Sequence, residues 1–269
     1  MRLFVAGLRK LVRRPATFVT LGLLVGLLGL ILIAVSATAS QRTGRAAQEG
    51  LLLVTFPGAY SMILSFILGL GGLFAVIYGA AIAGSEWTWG TLKSAVARGE
   101  SRGRYQMTSF ASIALMLGIG LVVALGAGVV LAVIGAKIAG VSTAGLGDSK
   151  TLGTMPDLLA RGWLAIVEEG ALGFAIATLA RSQLAGIGAG IAVYFGEQFA
   201  GIFLPEIVKY LPFNAANAVV ATSGGGGLRE GGGALANLAP DTALLVVVAW
   251  LAGALVVTTL FTERAEISG

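Results

Sequence analysis

Three acidic residues lie where they could carry charge or protons within a membrane. Glu168 and Glu169 fall in one long apolar stretch of the sequence, and Glu197 falls in the next. A charged side chain at bilayer depth is costly, so such residues usually face a bundle interior, a cavity or a partner. Two interpretations stay open. The acids line a path for cationic or amphiphilic molecules, or they are structural, as a buried pair or as protonated carboxyls that hydrogen-bond between helices.

The spacing around Glu197 favours a position between helices. Glu197 follows Gly190 by seven residues and Gly186 by eleven, which puts all three on one helix face. Gly186-x-x-x-Gly190 is a pattern of close helix packing, so we expect Glu197 to point at another helix.

Several kinds of catalysis are excluded by composition. The chain has no His and no Cys, which removes histidine-based catalysis and the usual zinc ligands. Residues 147–151 come close to a phosphate-binding loop, but Ser149 stands where that motif needs Gly directly before Lys. We expect no catalytic residue, no metal site and no cofactor on this chain.

A short polar segment, residues 84–106, separates two long apolar runs and has a distinctive order. Glu86 is followed by Gly90-Thr91 and then by Lys93, and Ser101-Arg102 precedes the next apolar run. A segment that transmits force from another protein needs a short rigid element and side chains that fill a pocket on that partner.

The aromatic and basic residues of this segment suit such an interface. Trp87 and Trp89 are candidate anchors, because buried aromatic residues dominate interface energetics. Lys93, Arg98 and Arg102 can supply steering and polar contacts. The alternative is a positively charged loop whose Trp residues sit among lipid headgroups.

In order and position, this segment resembles the coupling segment of ABC-2 type transporter permeases, whose motif is a Glu, a short gap, Gly-Thr, and a basic helix ending in Ser-Arg. The Arg181-Ser182 turn also resembles a turn of that family. The topological match covers the whole chain, whereas sharp residue identity is confined to residues 86–104 and this turn.

The resemblance implies the permease subunit of an ATP-driven ABC exporter, which forms the translocation pathway as a homodimer or a heterodimer. ABC ATPase subunits would be separate chains and would bind ATP and Mg²⁺. Their movement would open the dimer interface, and the cargo would be a lipid-like, drug-like or peptide molecule. The residues expected to couple to the ATPase are Glu86, Trp87, Trp89, Gly90, Thr91, Lys93, Arg98 and Arg102.

Composition and apolar runs point to a multi-pass membrane protein. The chain is 57% hydrophobic and 12% charged, with a mean hydropathy of +0.91, whereas soluble domains carry about 25% charged residues. Six stretches reach the length of about 20 residues that a membrane span needs. They are residues 17–36, 62–83, 107–136, 158–180, 184–204 and 242–261.

The distribution of Lys and Arg sets the expected orientation. With the N-terminus inside, eleven basic residues fall on the inner side and seven fall on longer outer loops. This bias favours cytoplasmic termini in a prokaryotic plasma membrane. It also accounts for the net charge of +5 without invoking nucleic acid.

Two segments outside the spans have their own patterns. Residues 1–15 form an amphipathic pattern whose basic face suits contact with anionic lipid, which predicts an interfacial helix. Residues 205–240 contain an apolar part too short to cross a bilayer and two glycine clusters, 224–227 and 231–233. They predict a re-entrant or interfacial segment followed by a flexible outer loop.

The sequence therefore predicts an all-α membrane protein with one transmembrane domain over residues 1–269. It would have six transmembrane helices, an N-terminal interfacial helix and a re-entrant outer segment. Two rival functions stay open. One is a proton-coupled secondary transporter that uses Glu168, Glu169 or Glu197, and the other is a membrane scaffold that only docks a partner.

Overall fold

The computed structural model describes residues 2–39, 50–220 and 238–265, and within them the chain is helical without any β-strand. Helices α1 to α5 are Arg2–Val12, Pro15–Ala39, Gly58–Thr88, Thr91–Ala97 and Arg102–Ala139. A short 3-10 turn, Ala144–Gly147, follows. Helices α6 to α10 are Ser149–Ala180, Gln183–Phe203, Pro205–Val208, Pro212–Ala218 and Pro240–Arg264.

Five of the described helices, α2, α3, α5, α6 and α10, are long and apolar enough to cross a membrane. This agrees with a helical, multi-pass membrane protein. The predicted span at residues 184–204 does form a helix, α7, of 21 residues. It is not one of these five, and it contains the polar residues Gln183, Glu197 and Gln198. The six-span arrangement therefore stays a prediction.

Helix α3 is the centre of the bundle. It is buried along most of its length and packs against α6, α7, α5 and α2. Two glycines bring the backbones of α3 and α6 into contact. A Cβ on Gly79 would lie 2.1 Å from the Gly170 carbonyl oxygen, and one on Gly173 would lie 2.0 Å from that of Val76. Only residues without a side chain permit this approach.

One end of the bundle gathers α1, α4, the turn between α6 and α7, and the end of α10; we call it the connector end. Lys10 of α1 pairs with Glu86 of α3. The Arg102 Nη1 donates to a backbone carbonyl just beyond α10, at 2.6 Å. Arg181, in the turn after α6, lies over the Trp87 ring. The two termini of the described chain are therefore on the same side of the bundle, as the charge distribution predicts; that this side is cytoplasmic stays a prediction.

Part of the apolar face of α1 packs on the bundle, and part of it is exposed. Leu11 is buried against the bundle, whereas Val5 and Val12 are exposed. Gly7 faces Ser112 of α5, and a Cβ there would lie 2.6 Å from the Ser112 hydroxyl oxygen. The predicted interfacial helix thus docks along α5 and keeps part of its apolar surface free for lipid.

At the opposite end, the predicted re-entrant segment contains two short helices, α8 and α9. Most residues of α9 are buried against α10, α6, α3 and α7. The tail of this segment, including the glycine clusters at 224–227 and 231–233, lies outside the described residues.

Candidate functional site

The polar segment between α3 and α5 folds as two turns around a short helix, and we call residues 89–101 the connector. Gly90 follows α3 with φ of 64°, in the left-handed region. Helix α4 comes next, and Gly99, with φ of 88°, ends it. Ser101 is extended and α5 begins at the next residue. Two glycines at positive φ thus allow a tight reversal between two long spans.

Glu86 anchors the connector from within the protein. Its side chain belongs to the last turn of α3 and is 1% exposed. One carboxylate oxygen accepts a hydrogen bond from the Lys10 ammonium, and the other accepts from the hydroxyls of Thr91 and Tyr105. The carboxylate therefore joins α1, α3, α4 and α5, and its buried charge is balanced by one cation and two hydroxyl donors.

This geometry explains the spacing of the Glu-x-x-x-Gly-Thr pattern. The turn at Gly90 brings Thr91 back toward the end of α3, where its hydroxyl reaches both the carboxylate and the backbone oxygen of Glu86. A residue with a side chain would be strained at the φ of Gly90. Glu86, Gly90 and Thr91 therefore form a structural corner, and Glu86 itself is too buried to contact a partner directly.

The two tryptophans of the pattern have different surroundings. Trp87 packs edge-on against Phe261 of α10 and lies beneath Arg181, whose Cζ is 5.3 Å from the ring centroid. Trp89 is 64% exposed and contacts Arg14, whose Cζ is 4.9 Å from its ring. Trp87 is thus committed to the protein's own interior, and Trp89 is the aromatic side chain of the connector that a partner can reach.

The basic residues of the pattern also separate into two groups. Arg102 donates to backbone carbonyls at the end of α10, so it fixes the last span to the connector. Lys93 on α4 and Arg98 directly after it are exposed, and the opposite face of α4 buries Leu92 and Ala95. The exposed face of α4, together with Trp89, is the surface available to another protein.

Sequence reasoning missed two partners of the corner, Lys10 and Tyr105. Lys10 was expected to face lipid headgroups, but it turns inward and pairs with Glu86. Arg14, four residues on, donates to Ser85 at 2.9 Å. The available signal was an acid at the end of an apolar span beside many basic residues, because a buried carboxylate needs a nearby cation.

Glu197 lies at the end of the bundle opposite the connector, where its carboxylate joins two helices. It is 3% exposed. Its carboxylate accepts from the Phe213 and Asn214 amides, at 3.3 and 2.6 Å, and from the Asn214 side-chain amide at 2.7 Å. These amides belong to the first turn of α9, where a helix has unsatisfied donors and a positive dipole end. Glu197 points at another helix, as its spacing predicts, and binds the buried short helix to α7.

Glu168 and Glu169 are in a different situation. They are 0% and 1% exposed, and none of their carboxylate oxygens has a hydrogen-bond partner among the described residues. Glu169 lies against Gly72 of α3, where a Cβ would be 2.3 Å from its oxygens. Among the described residues, no group of three or more acidic side chains is placed to hold a metal ion. Burying a polar group without a hydrogen-bond partner is costly in an apolar interior.

No protein-family model matches the chain, and no curated protein sequence matches it. The resemblance to ABC-2 permeases therefore rests on the sequence alone, on the order of residues 86–104 and on the Arg181-Ser182 turn.

Proposed function

We propose that this protein is the permease subunit of an ATP-driven ABC exporter, which works as a dimer and is driven by separate ATPase subunits. The observation that carries the proposal is the connector. It is a short helix between two long spans, fixed to the bundle by Glu86 on its inner face and exposing Trp89, Lys93 and Arg98 on its outer face.

The contacts of the connector define how force would pass. A partner that moves α4 would act on the Glu86 corner through Thr91, and the corner joins α1, α3 and α5. Helix α3 packs directly on α6. Movement of α4 is therefore transmitted to at least three membrane helices. The translocation path would lie between two copies of the chain, with ATP and Mg²⁺ on the partner ATPases.

The absence of cysteine from the sequence makes a crosslinking experiment clean. Lys93→Cys on α4 and Lys150→Cys at the opposite end of the bundle give a matched pair. In native membranes, we expect the residue-93 variant to crosslink to a chain that mass spectrometry identifies as an ATPase. The residue-150 variant should be labelled by an impermeant maleimide in intact cells and should not crosslink to it. Labelling of residue 93 from outside, with residue 150 protected, would refute the orientation.

A second experiment tests coupling. Trp89→Ala should lower ATPase stimulation or transport about thirtyfold, because a truncated aromatic anchor typically costs about 2 kcal/mol. Phe203→Ala, which removes an equally exposed aromatic side chain at the far end of α7, is the control. Wild-type coupling in both Trp89→Ala and Glu86→Ala would remove these residues from the mechanism.

One observation favours a second candidate, a proton-coupled secondary transporter. Glu168 and Glu169 are buried in a membrane helix without partners among the described residues, which is a common arrangement of proton-carrying acids. Transport that persists without ATP, follows a proton gradient and is abolished by Glu169→Gln would establish this function. Transport that requires ATP and survives Glu169→Gln would exclude it.

A further inference from the structure

A cavity opens at the connector end between α1, α3, α4 and α5. Its volume is about 370 Å³, within the range of about 300–1,000 Å³ that is usual for small-molecule sites. The buried side chains of Leu11 and Ile82 form part of its wall. The exposed residues Arg98 and Ser94 also line it, so the cavity has an apolar interior and a polar opening.

The charges around this cavity favour an anion. Lys10, Arg98 and Glu86 all line it. The Glu86 carboxylate already receives hydrogen bonds from Lys10, Thr91 and Tyr105, and Lys10 balances its charge. Arg98 makes no ion pair or hydrogen bond within the described part of the chain. One positive charge is therefore left in excess, on a guanidinium whose planar donors match phosphate oxygens.

The position of the cavity matches the level of lipid headgroups. Helix α1, which forms one wall, keeps Val5 and Val12 exposed on its apolar side and Arg9 and Arg13 exposed on its polar side. A helix with this pattern lies at the boundary between acyl chains and headgroups. Basic pockets beside membrane helices are suited to anionic headgroups.

We propose that this cavity binds one phosphate group. Arg98 supplies the uncompensated charge, the outer side of Lys10 adds a second donor, and the hydroxyls of Ser94 and Ser109 complete the polar lining. A phospholipid headgroup and a small soluble phosphate share this chemistry. The site does not depend on the transport function.

The test uses the purified full-length chain in detergent, with two probes. One is dioleoyl phosphatidylglycerol, followed by native mass spectrometry, and the other is inorganic phosphate, followed by calorimetry. We expect Arg98→Gln to weaken binding about tenfold, the loss of one charge-assisted hydrogen bond. Ser109→Leu, which fills the cavity without changing charge, should weaken it similarly. Arg104→Gln is the control, because Arg104 is exposed at the same end and does not line the cavity; it should change binding less than twofold.

The two probes distinguish the source of the phosphate. Arg98-dependent binding of the lipid alone assigns the site to a headgroup, and Arg98-dependent binding of inorganic phosphate assigns it to a soluble ligand; both support the proposal. Binding of neither probe, or lipid binding that Arg98→Gln and Ser109→Leu leave unchanged, would overturn it. So would an equal loss in Arg104→Gln, which would indicate general charge attraction. Loss of transport without loss of binding would bear on the proposed function only.

Discussion

Four buried acids divide this molecule into two kinds of region. Glu86 at the connector end and Glu197 at the opposite end each receive at least three hydrogen bonds from other helices. Glu168 and Glu169, near the middle of α6, receive none within the described residues. All four are at most 3% exposed, so burial alone does not distinguish them. The hydrogen-bond donors around each acid therefore distinguish the acids that join helices from those that do not.

The largest expected effect follows removal of Glu86. Glu86→Ala leaves the Lys10 ammonium and two hydroxyls without their acceptor. We expect a loss of about 3 kcal/mol in the free energy of unfolding, the low end for breaking a buried ion pair, because Lys10 is partly exposed. Unfolding in mixed detergent micelles measures it. Glu100→Ala, which removes an acid 3.8 Å from the Arg104 guanidinium on the surface, should cost less than about 0.5 kcal/mol. Equal losses would contradict the distinction.

Glu197 should show an intermediate effect that is confined to one end. Glu197→Ala removes the acceptor for the first turn of α9, at a cost of about 2 kcal/mol for buried donors left unsatisfied. Glu197→Gln should cost less, because an amide oxygen still accepts from the Asn214 amide. Hydrogen exchange at the Phe213 and Asn214 amides should rise most in the Ala variant. Unchanged protection in that variant would show that Glu197 does not hold α9.

Glu168→Gln and Glu169→Gln test the two acids that receive no hydrogen bond within the described residues. Each substitution keeps the side-chain size and removes no hydrogen bond within the described residues. We expect the free energy of unfolding to change by less than about 1 kcal/mol, since only partner loss is costly. The same mixed-micelle unfolding measures it. A loss as large as that of Glu86→Ala would reveal a partner for these carboxyls.

A half-buried acid at the start of α6 gives the smallest effect. Asp148 precedes α6 and accepts from the Thr151 hydroxyl and from its amide at 2.9 Å. These bonds lower the pKa of Asp148 below its ordinary value. Its contribution to stability is therefore present above the unfolded-state pKa and is lost as the pH falls through the folded-state pKa. In Asp148→Asn, thermal stability should depend slightly less on pH below about pH 5. The same pH dependence in the variant and in the unmodified protein would contradict this role of Asp148.

The helices were the predictable part of this fold. A run of about 20 apolar residues is a local property, so the sequence marks each long span. The ends were less predictable, because helices extend beyond the apolar run. The span expected from residue 158 begins at Ser149, where Asp148 caps a polar first turn.

The candidate site was predictable only in part. Glu86, Gly90 and Thr91 are close in sequence, and their pattern located the corner. Lys10 is 76 residues from Glu86 in the chain, and nothing local to α1 distinguishes it from the neighbouring cations that stay outside. The inward direction of Lys10 depends on how α1 docks on α5, which is a tertiary property. For the same reason, the sequence does not show that Trp87 packs against the protein while Trp89 is exposed.

The glycine seam between α3 and α6 has a mechanical consequence. Where carbonyl oxygens touch the opposite backbone, no flexible side chains are present to absorb sliding or rotation. Helix α3 has 31 residues, a length of about 46 Å at the usual rise. We therefore expect a displacement of α3 to carry α6 with it along this seam.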